Sequence, residues 1–184
     1  MGKRKAAVRV WRSERREGAH LACLHVCSEC PQEHHKRDRL GREGLAKQMS
    51  GQRICVDGVW SDADFPMSQA VIEPEGRRVH LTGQVGWTEE FQVIGHNDAG
   101  RQTHAAIDNI EKVLSAVGAT IEDVVSCTMY YVRDEDLDAI QEVRRNRFSF
   151  DAGPAVTGVK VAGLVDEALL VELTVVAVVP SKTS

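Results

Sequence analysis

From Met49 onward the apolar residues of this chain follow two regular rhythms, whereas residues 1–48 show no sustained period. Helical spacing appears twice. Between Gly100 and Val117, the residues Ala106, Ile107, Ile110, Val113, Leu114 and Val117 recur along one side of a helix, and Gly118 just past its end is a stop. A second helix follows Asp134 or Asp136, either of which can cap it. Leu137, Ile140 and Val143 then face the core, and Arg144, Arg145 and Arg147 cluster near the end, where cations suit the helix dipole.

The remaining apolar segments read as strands. Arg53 to Val56 is closed by Asp57-Gly58, and Gln69 to Ile72 ends at the turn Pro74-Glu75-Gly76. Arg78 to Gly83 then returns, predicting a hairpin. Val124 to Val132 is rich in β-branched and aromatic residues, Val156 to Val161 follows the break at Gly153-Pro154, and Leu169 to Val179 is the last strand. The predicted order is β-β-β-α-β-α-β-β, an α+β layer with two helices on one face of a sheet of about six strands.

Charge divides the chain where the pattern does. Residues 1–48 carry 12 Lys/Arg against 6 Asp/Glu, and residues 49–184 carry 11 against 21, so a basic arm of +6 precedes a body of −10. Such a body repels polyanions, which argues against nucleic acid as its partner. The arm predicts disorder, and Met49 is a candidate natural start, with the residues before it an over-extended reading frame. Five cysteines without an apolar leader point to reduced thiols and a cytoplasmic protein. Leu169 to Pro180 falls well short of the roughly 20 residues that span a bilayer, so no membrane is implied. No cofactor is implied either. Cys23, Cys27, Cys30 and His34 offer four soft ligands in the arm, yet the two halves lack the separation that lets a chain wrap a zinc ion, so no metal is assigned.

Several fragments stand in an order that resembles the RidA/YjgF (Rid) family. They are Ser68-Gln69-Ala70-Val71, Val79 to Gly86, Gln102-Thr103, Asn109 to Leu114, Ala119 to Val125, Tyr131 to Asp134, Gly153-Pro154-Ala155 and Leu170 to Leu173. The resemblance spans about 130 residues, all beyond the arm. It implies a chorismate-mutase-like fold and a homotrimer with small-molecule clefts between subunits. It also implies an activity, hydrolysis of 2-enamines and 2-imines to 2-oxo acids and ammonia.

The same resemblance assigns roles. Glu172 is the water-positioning acid, and Ser68, Thr82, Gly83, Gln84, Val156 and Thr157 line the substrate cleft. Active deaminases of the family hold the substrate carboxylate with an arginine after the Pro-Ala pair, where this chain has Val156. Lys160 shares strand parity with Val156 but lies about 13 Å along a strand. Two readings of Glu172 stand side by side. Set among Leu169, Leu170, Val171, Leu173, Val175 and Val176, it is either a buried acid for proton transfer or one half, with Thr174, of the polar face of a two-faced strand. Gly83 and Gly86 serve either a turn or a ligand's approach. Cys127 reads as a small buried hydrophobe, and His80 and His104 as structural histidines.

The functions implied are therefore an imine- or enamine-hydrolysing enzyme, a non-catalytic metabolite-binding trimer, or, least favoured by charge, an RNA-binding protein or ribonuclease.

Overall fold

A computed structural model describes residues 51–60 and 64–181. The basic arm, with Cys23, Cys27, Cys30 and His34, lies outside the described residues. In chain order the elements are β1 (Gln52–Ile54), β2 (Ala70–Ile72), β3 (Gly76–His80), β4 (Gln84–Val85), α1 (Ala99–Ala116), β5 (Val124–Tyr131), α2 (Leu137–Arg147), β6 (Ala155–Lys160) and β7 (Val171–Pro180). The architecture is the α+β arrangement that the pattern predicted.

Five strands form the main sheet in the order β3-β7-β5-β6, with β4 beside β3 on the same edge of β7. β6 joins β5 in parallel, and the other pairings are antiparallel. The predicted hairpin of β2 with β3 is not formed. β2 pairs with β1 in a separate two-stranded sheet, and β3 pairs with β7. The reason is the length of β7. Its ten residues carry β3 along one half and β4 along the other, so an inner strand captures what a local turn would have joined.

α1 and α2 cover one face. Ala106, Ile107, Ile110 and Leu114 from α1, and Ile140 and Val143 from α2, pack on Cys127, Met129, Val171, Leu173, Val175 and Ala177. Cys127 is thus the buried hydrophobe expected of it. Val113 and Val117, predicted on the packed stripe, are exposed because α1 turns its Thr103–Ile107–Ile110–Leu114 side to the sheet. Gly118, at φ +80°, ends that helix in the left-handed conformation that glycine adopts freely.

α2 starts differently from expectation. Asp136 occupies its cap position without a side-chain capping bond, because its carboxylate binds Arg133, and Asp134 binds Lys160. No helix among the described residues is long and apolar enough to cross a membrane.

Candidate functional site

Strand parity divides the sheet chemically. On β7, Val171, Leu173, Val175 and Ala177 point to the helices, and Glu172, Thr174 and Val176 point to the open face. The register extends this across β5 and β6 in rows. Val159, Tyr130 and Glu172 form one row, Thr157, Thr128 and Thr174 the next, and Ala155, Ser126 and Val176 a third, with His80 of β3 beside Val176. Glu172 and Thr174 therefore share a polar face, as the second reading of Glu172 anticipated.

Glu172 is half-buried and has no hydrogen-bond or ion-pair partner among the described residues. Tyr130 stands opposite it on one side and Val85 on the other. The segment Thr82-Gly83, which links β3 to β4, runs directly over the carboxylate. A Cβ built on Gly83 would fall 1.8 Å from Glu172 Oε1, so any larger residue there would push the carboxylate out of its place. Gly86 meets a similar demand, since its Cβ would lie 3.0 Å from the Cα of Gln102 on α1. Neither glycine has a positive φ. Their role is close approach, of backbone to Glu172 in one case and of β4 to α1 in the other.

The polar side chains of α1 hold this corner in place. Asn109 Nδ2 donates to the carbonyls of Val85 and Trp87, fixing β4. Gln102 is fully buried; its amide donates to Gly95 and Ala168 carbonyls and accepts from Leu170 N–H at 2.8 Å, which sets the entry to β7. The residues around Gln102 and Asn109 that carried the resemblance thus position Glu172 without touching it.

The other predicted site residues are distributed more widely. Gln84 pairs with Leu173, and its side chain donates to the Thr82 carbonyl, while Thr82 itself is exposed. Thr157 is exposed on the open face. Ser68 is buried. Its hydroxyl donates to Gly153 O at 2.8 Å and its N–H to Pro154 O, leaving the hydroxyl oxygen only as an acceptor. Val156 pairs with Cys127 and packs against the helix-side core, so within one chain it lies across the sheet from Glu172. Lys160 is half-exposed and held by Asp134, whose hydrogen bond raises its pKa. His80 departs from expectation. It is exposed at the end of β3, on the open face, whereas His104 Nδ1 lies 3.3 Å from Arg147 Nη1.

Three side chains of this region were not marked from the sequence. Tyr130 joins Glu172 only through strand register. Arg53 reaches the carbonyls of Gly51, Glu122, Val124, Ala152 and Gly153, tying the β1–β2 sheet to the segment before β6. Burial lowers its pKa, and Asp123 nearby opposes that shift. Arg144 lies in the last turn of α2, where the sequence placed it, and its burial at 1% exposure was not foreseen.

Residues 61–179 match the family described as Endoribonuclease L-PSP. The chain belongs to it. Among its L-PSP (RidA/YjgF) relatives, a RutC family protein of Pyrococcus abyssi is 31% identical over 112 residues, covering 61% of this chain and 85% of that protein. A protein of Dermatophagoides farinae named 2-iminobutanoate/2-iminopropanoate deaminase is 30% identical over 116 residues, covering 63% of this chain and 88% of that one. Among solved structures, the Rid-family protein YyfB of Yersinia pestis, itself of unknown function, aligns with a TM-score of 0.65 at 28% identity. That alignment covers 71% of this chain and 100% of YyfB.

Among the described residues, no group of three or more His, Cys, Asp or Glu is placed to hold a metal. What the L-PSP family member presents on its open face is a carboxylate unpartnered among the described residues, under a glycine backbone and flanked by a phenol and a row of threonine hydroxyls.

Proposed function

We propose that this protein forms a homotrimer with small-molecule clefts between subunits, and that it hydrolyses an enamine or imine with Glu172 positioning the water. The observation that carries the reading is the half-buried Glu172 carboxylate, unpartnered among the described residues and covered by Gly83. A carboxylate in that state can accept a proton from water. The name of the Dermatophagoides farinae relative supports the reaction class.

The chemistry needs only water. As the water oxygen bonds to the C=N carbon, one of its protons passes to Glu172 and the π pair moves onto nitrogen. Glu172 returns the proton to that nitrogen. The hydroxyl proton of the resulting aminol then passes by way of Glu172 to the nitrogen as the C–N bond breaks, releasing ammonia and leaving C=O. Val156 stands where active relatives of the family place an arginine for the substrate carboxylate. The substrate therefore either lacks a carboxylate or binds it elsewhere. Ammonia release from imines generated in solution tests the reading. A rate no higher than buffer, or one unchanged in Glu172→Ala, would reject it.

A second reading, a non-catalytic trimer that senses a metabolite, draws support from the packing of Val156 into the core. It predicts ligand-dependent thermal stabilisation without turnover. The family description names an endoribonuclease, but the −10 charge of residues 49–184 opposes an RNA partner.

A further inference from the structure

Beside Glu172 the open face carries a second polar group. Tyr130 is its direct partner in the β5–β7 register, which sets the two Cβ atoms about 5 Å apart on the same side of the sheet. The row runs Val159, Tyr130, Glu172, Val85 across β6, β5, β7 and β4. A phenol and a carboxylate thus stand together between two valines.

The next residue along β5 shows what a tyrosine does here when its role is cohesion. Tyr131 points to the helices and packs against the core, whereas Tyr130, on the opposite side of the strand, is not part of that cluster. A phenol taken partly out of water usually finds a hydrogen-bond partner. The half-buried Tyr130 hydroxyl has none among the described residues, and the carboxylate beside it is no exception. Two adjacent polar groups that do not bond each other are each able to bond a third.

The backbone sets the side from which that third group meets them. Between the pairs His80–Val176 and Gln84–Leu173, the β3–β4 side holds one residue more than β7, which is a bulge. It carries Gly83 over Glu172 from the β4 side, and Tyr130 borders the flank towards β5. A tyrosine side chain is longer than a glutamate, so the hydroxyl reaches farther from the sheet than the carboxylate does. Water held on Glu172 therefore has the phenol to one side and above it. The nitrogen of a C=N group attacked by that water falls on the phenol's side, since Gly83 occupies the other.

We propose that Tyr130 is a second catalytic residue, whose O–H donates a hydrogen bond to the substrate nitrogen while Glu172 handles the water. The inference rests on the hydrolytic reading of Glu172 and deepens it by assigning the group that receives the nitrogen. As the water oxygen bonds to carbon, the π pair arrives on nitrogen and the hydrogen bond from the phenol strengthens with the growing charge. The phenol keeps its own proton throughout. The protons that reach nitrogen come from the water by way of Glu172, so the balance of the reaction is unchanged.

The test uses the full-length protein labelled with carbon-13 at tyrosine Cζ. The chain has two tyrosines, Tyr130 and Tyr131, so the second is a built-in control. The probes are 2-oxobutanoate and its neutral methyl ester, whose ketone oxygen takes the place of the imine nitrogen. The Tyr130 resonance should shift saturably with at least one of them, and the Tyr131 resonance should stay fixed. In Tyr130→Phe, kcat for ammonia release from 2-iminobutanoate should fall about tenfold to a hundredfold, and by more than KM rises. The acid limb of its pH–rate profile, which belongs to Glu172, should stay in place, whereas a merely structural disturbance would move it. A Tyr130 resonance that moves with neither probe overturns the proposal, and the wild-type protein reads this without any substitution. Full activity in Tyr130→Phe, with Glu172→Gln inactive, overturns it too and leaves the role of Glu172 intact. A wild-type rate no greater than buffer rejects the hydrolytic reading and the catalytic role of Tyr130 with it.

Discussion

The two faces of the five-stranded sheet are made from alternate residues of the same strands and have opposite physical character. Along β7, Leu173 and Val175 are at most 1% exposed beneath the helices, while their neighbours Glu172 and Thr174 stand half-buried on the open face. One face contributes cohesion through close packing. The other carries groups that can bond to a ligand and are not needed to hold the chain together. The contrast separates stability from chemistry residue by residue, so it can be tested one position at a time.

The largest effect should come from the packed face. Leu173→Ala should lower the unfolding free energy by about 2–5 kcal/mol, because a fully buried side chain leaves a cavity that its neighbours only partly fill. Chemical denaturation reads this directly, and a cost below that of an exposed substitution would contradict the packing account.

Gly86→Ala should follow at about 1–3 kcal/mol, since the added methyl meets helix backbone that cannot swing aside. Gly83→Ala separates the two faces more sharply. Its methyl collides with the movable end of Glu172, so stability should fall by less than in Gly86→Ala, while ammonia release falls to the level of Glu172→Ala. A Gly83→Ala protein with full activity would show that the carboxylate's position is immaterial. The smallest effect should be at Thr174→Ala, within about 0.5 kcal/mol of wild type. A loss as large as that of Leu173→Ala would show that the open face is structural after all.

These contrasts also mark what the sequence could and could not reveal. Helical spacing located α1 and α2 because their apolar stripes repeat over several turns, and Gly118 closed α1 as predicted. The alternation around Glu172 placed it on a two-faced strand. Which strand lies beside it was not legible, because pairing is decided by long-range competition. β7 is long enough to take both β3 and β4, which dissolved the local hairpin expected of β2 and β3. Tyr130 was invisible as a neighbour of Glu172 for the same reason.

The two glycines were found but their purpose was not. A close approach depends on what the folded chain brings opposite, whereas a turn can be read locally. Arg144 was correctly set in the last turn of α2, but its burial was not legible, because only the packing of α2 shows which side of the helix it occupies.

The central claim is that the open face does chemistry through Glu172, and Glu172→Gln tests it with the least disturbance of shape. Ammonia release from 2-iminobutanoate formed in solution should exceed the buffer rate with the wild-type protein and return to it with Glu172→Gln, while the thermal midpoint stays unchanged. Equal rates for the two proteins, or a wild-type rate no greater than buffer, would contradict the account.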